Sequence, residues 1–139
     1  IVFARELSAC GVDIVDCSSG GLRGVAALES ADRQPGYQVP YAAQIRREAG
    51  VPTIAVGLIL DGRQAETILQ RGEADVVALA RQALYDPFWP LHAAQLLGVD
   101  PDFTGWAPSS GWWLNRRAKD LARIDRDPAG NMRADPATR

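Results

Sequence analysis

Three short apolar runs, separated from one another by helical segments, constrain the fold of this chain most strongly. The runs are VDIVDC (residues 12–17), VPTIAVGLI (51–59) and ADVVALA (74–80). Helical patterns, several of them bounded by aspartate or glycine, cover residues 1–10, 41–50, 61–72 and 86–98. Apolar runs of this length are typical of strands buried on both faces of a parallel sheet, and helices that alternate with such strands form βαβ units. The chain is therefore predicted to be an α/β protein with parallel strands.

Two architectures are built from such a series: a closed (β/α)8 barrel and an open, doubly wound sheet. No GxGxxG motif follows the first predicted strand, which argues against a dinucleotide-binding unit of the open type. Three strands are too few to close a barrel. A complete eight-stranded barrel needs about 250 residues, more than this chain has. The sequence also begins within a helical pattern and without Met. We therefore expect the last three βα units of a (β/α)8 TIM barrel, in a piece of a longer protein.

The composition excludes several functional classes. The 139 residues carry a formal net charge of −2 and their basic residues are scattered, so no nucleic-acid or membrane partner is expected. No apolar run approaches the roughly 20 residues of a membrane helix. Cys10 and Cys17 form neither a CxxC motif nor a Cys/His cluster with metal-ligand spacing. We expect reduced thiols, no bound metal and a cytoplasmic location.

The C-terminal segment differs from the rest of the chain. Residues 1–104 are predicted to form the barrel part, and residues 105–139 a C-terminal extension. The extension brings Trp106, Trp112 and Trp113 together in a loop-rich stretch, before a charged helix over NRRAKDLARIDRD. Clustered aromatic side chains usually pack on a surface, which here is either the chain's own barrel or a neighbouring subunit.

The residues that follow the predicted strands are suited to binding a phosphate. Ser18 and Ser19 offer hydroxyl and N–H donors after the first strand, and Gly20 and Gly21 let a loop approach closely. The carboxyl ends of parallel strands lie at one edge of a sheet. The ends of the other two strands are therefore expected beside these serines.

An arginine directly after the third strand requires an anion. Gly57 exposes backbone N–H at the end of the second strand, and Ala80 and Arg81 follow the third. In (β/α)8 enzymes, the loops after strands seven and eight frequently form a phosphate site, and a guanidinium presents a fixed fork of donors to a phosphate. Arg81 is predicted to meet a phosphate; the alternatives are a salt bridge to a helix acid or a contact with local carbonyls.

Three stretches resemble the C-terminal part of the old yellow enzyme family: GVDIVDCSSGG, PGYQVPYAAQIRREAGVPTIAVGLI and ADVVALARQALYDPFWP. The resemblance covers residues 1 to about 98, and PGYQ and DPFW are similar to the bacterial subclass that includes xenobiotic reductases. It implies a (β/α)8 barrel and an FMN-dependent NAD(P)H oxidoreductase of the ene-reductase type. NADH or NADPH would be the reductant, and a small molecule such as an electron-poor alkene would be the electron acceptor.

The resemblance also implies which residues hold the FMN phosphate. Carried onto this sequence, they are Ser18, Ser19, Gly57, Leu58, Ala80 and Arg81. The family usually has glycine before the arginine, so Ala80 departs from its pattern, and the contact requires a negative φ there. No catalytic residue is carried over, because the family's acceptor-orienting and proton-donating residues lie on earlier strands.

Two other interpretations stay open. The chain could belong to another phosphate-binding barrel enzyme, such as one acting on a phosphorylated sugar or another FMN dehydrogenase. It could also be a non-catalytic fragment with a role in assembly only. Three parallel strands alone expose two long edges, so we expect the isolated chain to be poorly stable or associated and to lack turnover. The parent protein is expected to be a homo-oligomer.

Overall fold

The computed structural model describes residues 1–19 and 33–124, which form two compact units. The first unit is Ile1–Ala93, and the second begins at Ala94. The predicted loop glycines, Gly20 and Gly21, lie outside the described residues. Within the described ranges, no helix has the length and apolar character needed to cross a membrane.

Short helices and strands alternate along the first unit, as predicted, and a long helix follows in the second. In chain order, the elements are α1 (Val2–Ala9), β1 (Val15–Cys17), α2 (Val39–Ala49), β2 (Thr53–Ala55), α3 (Gly62–Gln70), β3 (Val76–Val77), α4 (Arg81–Tyr85), α5 (Trp89–Leu96) and α6 (Pro108–Ile124).

The three strands form one parallel sheet in the order β1-β2-β3. Cys17 of β1 pairs with Ala55 of β2, which pairs with Val77 of β3. Helices α2 and α3 pack against this row, and their apolar residues bury Cys17 and Ala55. The resulting core cluster consists of Cys17, Val39, Ala42, Ala55, Ile59, Ala65, Ile68 and Ala74.

The strand order is that expected of a barrel segment, and it also occurs within one half of a doubly wound sheet. A doubly wound sheet reverses its strand order at a switch point and has helices on both faces. Here the order is sequential, and α2 and α3 both contribute to the core around Cys17 and Ala55. Side chains alternate along a strand, so Asp16 and Ile54 point to the opposite face, where Asp16 is exposed. That face is not covered by α2 or α3.

Helices α2 and α3 are bounded by the aspartate and glycine residues that the sequence indicated. The Asp61 carboxylate accepts the backbone N–H of Gln64 at 2.9 Å, so it caps α3 as predicted. Gly50 ends α2 with φ +70°, a left-handed conformation that costs a glycine little. Gly72 follows α3 with φ +65°.

The second strand is shorter than predicted. The apolar run 51–59 indicated a strand throughout, but β2 covers only Thr53–Ala55. The cause lies in the backbone after it, where Gly57 has φ +117° and Leu58 φ +51°. Both values lie outside the extended region, so the chain turns away from the sheet there. The first strand is shorter for a similar local reason, because the N–H of Val12 still bonds the carbonyl of Leu7 at the end of α1.

The helix predicted over residues 86–98 is the shorter helix α5, and a further short helix, α4, precedes it where none was predicted. Helix α4 begins directly at Arg81, and α5 begins only at Trp89. Asp86 therefore does not cap α5, which begins three residues later. The Asp86 carboxylate instead accepts the backbone N–H of Phe88 at 3.0 Å, in the turn between the two helices. With only five residues, α4 is too short to show an apolar period in the sequence.

In the second unit, α6 starts at Pro108 and not at the predicted NRRAKD stretch. Trp112 and Trp113 therefore lie on a helix and not in a loop, with an edge-to-face contact of 4.5 Å between ring centroids. The turn before α6 is held by the buried Asp100, whose carboxylate accepts the hydroxyl of Thr104 at 2.7 Å and the N–H of Gly105 at 3.0 Å. These hydrogen bonds, that of the Thr104 hydroxyl above all, lower the pKa of Asp100.

Candidate functional site

The loops after β2 and β3 enclose a cavity of about 260 Å³ at the carboxyl end of the sheet. Four of the six predicted phosphate-binding residues line it. The lining residues are Tyr37, Gln38, Val56, Gly57, Leu58, Ile59, Leu60, Ala78, Leu79, Ala80, Arg81 and Gln82. The structure thus brings Gly57 and Leu58 together with Ala80 and Arg81, although the two pairs lie on different loops.

The loop after β2 is held in its turned conformation by two side chains, Gln64 of α3 and Trp89 of α5. The amide of Gln64 donates from Nε2 to the carbonyl of Leu58 at 3.1 Å and accepts the N–H of Leu60 at Oε1 at 2.9 Å. The indole N–H of Trp89 donates to the carbonyl of Leu60 at 2.8 Å. These three bonds occupy the carbonyls of Leu58 and Leu60 and the N–H of Leu60. The N–H of Leu58 has no acceptor among the described residues.

Glycine is required at position 57 by both backbone and space. Its φ of +117° is rarely adopted by other residues. A Cβ atom at this position would lie 3.0 Å from Cε1 of Tyr37 and 3.3 Å from Cβ of Gln38. The carbonyl of Gly57 also accepts the N–H of Gly36 at 2.8 Å. This bond ties the segment before α2 to the cavity wall.

The loop after β3 presents a cation and backbone donors to the same cavity. Ala80 has φ −119°, the negative value that its departure from the family's glycine requires. Arg81 opens α4 and is exposed. Within residues 1–19 and 33–124, no carboxylate pairs with its guanidinium, and no acceptor meets the backbone N–H of Ala80 or Arg81. The alternatives of a salt bridge to a helix acid or a contact with local carbonyls thus find no support in these ranges.

The two predicted serines do not line the cavity. Ser18 and Ser19 follow β1 and are exposed. Ser19 is linked to the cavity through Gln38, because its N–H and its hydroxyl both lie against Oε1 of that residue, at 2.6 and 3.0 Å. In this arrangement Ser19 directs its donors at a side chain and not into the cavity.

Gln38 is a cavity residue that sequence reasoning missed. Its side chain is only 4% exposed and joins the end of β1 to the wall formed by the β2 loop. Because both Ser19 donors meet one atom, that atom must be the amide oxygen, which fixes Nε2 as the other end of the amide. No acceptor for Nε2 is found in the described part of the chain. No spacing rule singles out a glutamine in PGYQVP, so the sequence held no clear signal for it.

The polar residues that line the cavity are Tyr37, Gln38, Arg81 and Gln82, and no acid or histidine is among them. Where the structure describes the chain, no group of three His, Cys, Asp or Glu residues could hold a metal ion. The nearby thiol of Cys17 is buried, and burial, together with the Asp16 carboxylate, raises its pKa. A protonated thiol is a poor nucleophile, and Cys17 instead belongs to the core cluster.

Comparisons with known proteins match the part of the chain that contains this cavity. The model of the NADH:flavin oxidoreductase / NADH oxidase family matches residues 1–99. The NADPH dehydrogenase of Geobacillus thermodenitrificans is 52% identical over 99 residues, which is 71% of this chain. The NADPH dehydrogenase of Bacillus subtilis is 46% identical over 102 residues, or 72% of this chain. In both cases the chain spans only 28% of the length of the relative.

Proposed function

Because the chain belongs to the NADH:flavin oxidoreductase / NADH oxidase family, we propose that it supplies the FMN-phosphate half of the active site of a flavin-dependent oxidoreductase. FMN is the cofactor of this family and NADH or NADPH its reductant. The proposal for this chain rests on one observation. A guanidinium without an ionic partner in the described residues, that of Arg81, shares a cavity with backbone donors from the ends of two strands.

A phosphate monoester fits this donor set. It carries a charge that matches a guanidinium, and its oxygens accept several hydrogen bonds at once. We assign the phosphate contacts to the guanidinium of Arg81 and to the N–H groups of Leu58, Ala80 and Arg81. Gly57 is assigned the close approach of the loop, because any side chain there would meet Tyr37.

Gln38 and the serines take different roles in this proposal. Nε2 of Gln38 donates to a phosphate oxygen, and Oε1 holds Ser19 and thereby fixes the end of β1 beside the cavity. Ser18 is assigned a contact to the same phosphate from the β1 side. Both hydrogen-bond donors of Ser19 are therefore occupied by Gln38, and Ser19 supports the phosphate site without contacting the phosphate.

We propose that the whole protein is a (β/α)8 TIM barrel, of which this chain forms the last three βα units, with the segment after residue 104 as an extension. Bound FMN would supply hydride transfer between NADH or NADPH and a small acceptor such as an electron-poor alkene. The residues of this chain hold the cofactor in place, and the complete protein is proposed to be a cytoplasmic homo-oligomer.

Flavin retention tests the proposal. The purified chain is incubated with FMN, desalted and examined by visible absorption, beside Arg81→Ala and Arg63→Ala. Arg63 is an exposed arginine on α3 that does not line the cavity, so it controls for loss of surface charge. We expect a flavin band in the wild-type chain and in Arg63→Ala and none in Arg81→Ala. Equal retention in Arg81→Ala would overturn the assignment. A chain that binds inorganic phosphate but no flavin would favour another phosphorylated ligand.

A further inference from the structure

Leu58 has a backbone conformation that a leucine rarely adopts. Its φ is +51°, in the left-handed region that is unfavourable for most residues other than glycine. Such strain persists only where the surrounding contacts fix it, and it is found mostly at functional sites. Leu58 lines the cavity at the carboxyl end of the sheet. The contacts that hold its backbone are therefore candidates for a role in that cavity.

Two hydrogen bonds fix the peptide groups on either side of Leu58. The carbonyl of Gly57 accepts the N–H of Gly36 at 2.8 Å. A trans peptide directs its N–H away from its carbonyl, so the N–H of Leu58 points away from Gly36. In the next peptide group, the carbonyl of Leu58 accepts Nε2 of Gln64 at 3.1 Å. The dihedral angles of Leu58 relate these two peptide planes, so the two hydrogen bonds together maintain its positive φ.

The side chain of Gln64 uses both ends of its amide on this loop. Its Oε1 accepts the N–H of Leu60 at 2.9 Å. Ile59, which lies between the two residues that Gln64 holds, is only 2% exposed and belongs to the core cluster. The core therefore anchors the loop independently of Gln64. The hydrogen bonds of Gln64 determine how the backbone turns just before that anchor.

We propose that Gln64 is a positioning residue of the phosphate site, which acts through the backbone of Leu58. Gln64 is not among the described residues that line the cavity, so it acts without contacting the phosphate. Its two hydrogen bonds keep the N–H of Leu58 directed at the phosphate. This inference deepens the proposed function and rests on it.

Loss of Gln64 should act on affinity through the population of the turned loop. Without its hydrogen bonds, the backbone of Leu58 relaxes toward the negative φ that leucine prefers. FMN then binds only the fraction of chains that keep the turn, and its apparent affinity falls by that fraction. The preference of a leucine against the left-handed region corresponds to a factor of about ten.

Paired substitutions in the full chain test the inference. Gln64→Leu removes both hydrogen bonds and keeps a side chain of similar size. Gln44→Leu is the control, because Gln44 is an exposed glutamine of α2 that does not line the cavity. Leu58→Gly is combined with Gln64→Leu, because glycine adopts a positive φ without steric cost. Fluorescence titration gives the dissociation constant for FMN, and the thermal midpoint is recorded for every variant.

We expect Gln64→Leu to weaken FMN binding about tenfold and Gln44→Leu to leave it unchanged. Adding Leu58→Gly to Gln64→Leu should restore most of the affinity and should not restore the thermal midpoint, because the hydrogen bonds stay lost. A role in stability alone predicts no such rescue of the affinity.

Three results would overturn the inference: wild-type affinity in Gln64→Leu, a loss of affinity that Leu58→Gly does not reduce, or a Gln64→Leu chain that does not fold although Ile59 anchors the loop. A wild-type chain that binds no FMN would overturn the proposed function, and this inference with it. Wild-type binding together with an unchanged Gln64→Leu would overturn this inference alone.

Discussion

The guanidinium of Arg46 in α2 forms a salt bridge with the carboxylate of Asp75, just before β3, with Nε 3.0 Å from both carboxylate oxygens. The same carboxylate accepts the backbone N–H of Thr53 in β2 at 2.9 Å, and Arg46 also donates to the carbonyl of Gly72 at 3.1 Å. One pair thus joins a helix to two strands at the amino end of the sheet. This end lies opposite the cavity, and residues at this end of a parallel barrel sheet contribute to stability and not to ligand binding.

The Arg46–Asp75 pair makes the free energy of unfolding depend on pH in the acid range. The Thr53 N–H above all, and Arg46 after it, lower the pKa of Asp75. The ionised Asp75 carboxylate therefore makes its full contribution to the free energy of unfolding above the unfolded pKa of about 4. That contribution is lost as the pH falls through the lower pKa of the folded state. Asp75→Asn should reduce the free energy of unfolding at pH 7 by roughly 1 kcal/mol, since the pair is partly solvent-screened.

Urea unfolding at pH 7 and at pH 3 checks this expectation. The difference between wild type and Asp75→Asn should shrink at the lower pH. Glu48→Gln is the control, because within the described ranges the exposed carboxylate of Glu48 pairs only with its sequence neighbour Arg47. A difference that stays constant between the two pH values would contradict the linkage.

Gly57→Ala should reduce both stability and phosphate binding. The left-handed backbone alone costs alanine about 1 kcal/mol, and the new methyl would press on Tyr37. Gly50→Ala is a matched control, because Gly50 has φ +70° but open space around it. We expect a lower thermal midpoint for Gly57→Ala than for Gly50→Ala, and weaker FMN binding, by isothermal titration, in Gly57→Ala only. Equal affinities would show that the cavity tolerates the methyl.

Gln38→Glu should weaken binding of a phosphate more than Ser19→Ala does. The glutamate keeps an acceptor for Ser19, but it replaces the Nε2 donor by a negative charge in a side chain that is 4% exposed. Loss of a hydrogen bond to a charged group corresponds to roughly tenfold weaker binding or more. Fluorescence titration with FMN at pH 8 gives the two affinities. A Gln38→Glu chain that binds as tightly as wild type would remove Gln38 from the site.

The two cysteines should differ sharply in reactivity. Cys10 is exposed, whereas Cys17 is buried and its pKa is raised by burial and by Asp16. In the folded chain at pH 7.5, a thiol reagent such as dithionitrobenzoate should modify one thiol rapidly, and a second only after denaturant is added. Cys10→Ser should remove the rapid phase. A rapid phase that persists in that variant would mean that Cys17 is accessible.

The sequence predicted the features that depend on local chemistry or on apolar patterning. The order of helices and strands, the Asp61 cap and the glycine ends of α2 and α3 all follow from short-range signals. The extent of β2 did not, because the backbone turn at Leu58 is held by Gln64 and Trp89, which lie on other elements. Gln38 was missed for the same reason, since its place in the cavity depends on a contact with Ser19 that only the fold creates.

Backbone amide spectra during a ligand titration test the central claim most directly, namely that the loops after β2 and β3 bind the phosphate of FMN. The chain labelled with ¹⁵N is titrated separately with FMN, riboflavin and inorganic phosphate. The account predicts that the amide signals of Leu58, Ala80 and Arg81 shift with FMN and with phosphate but stay in place with riboflavin, which lacks the phosphate. If riboflavin shifts these signals as FMN does, or if FMN shifts none of them, the assignment of this cavity is contradicted.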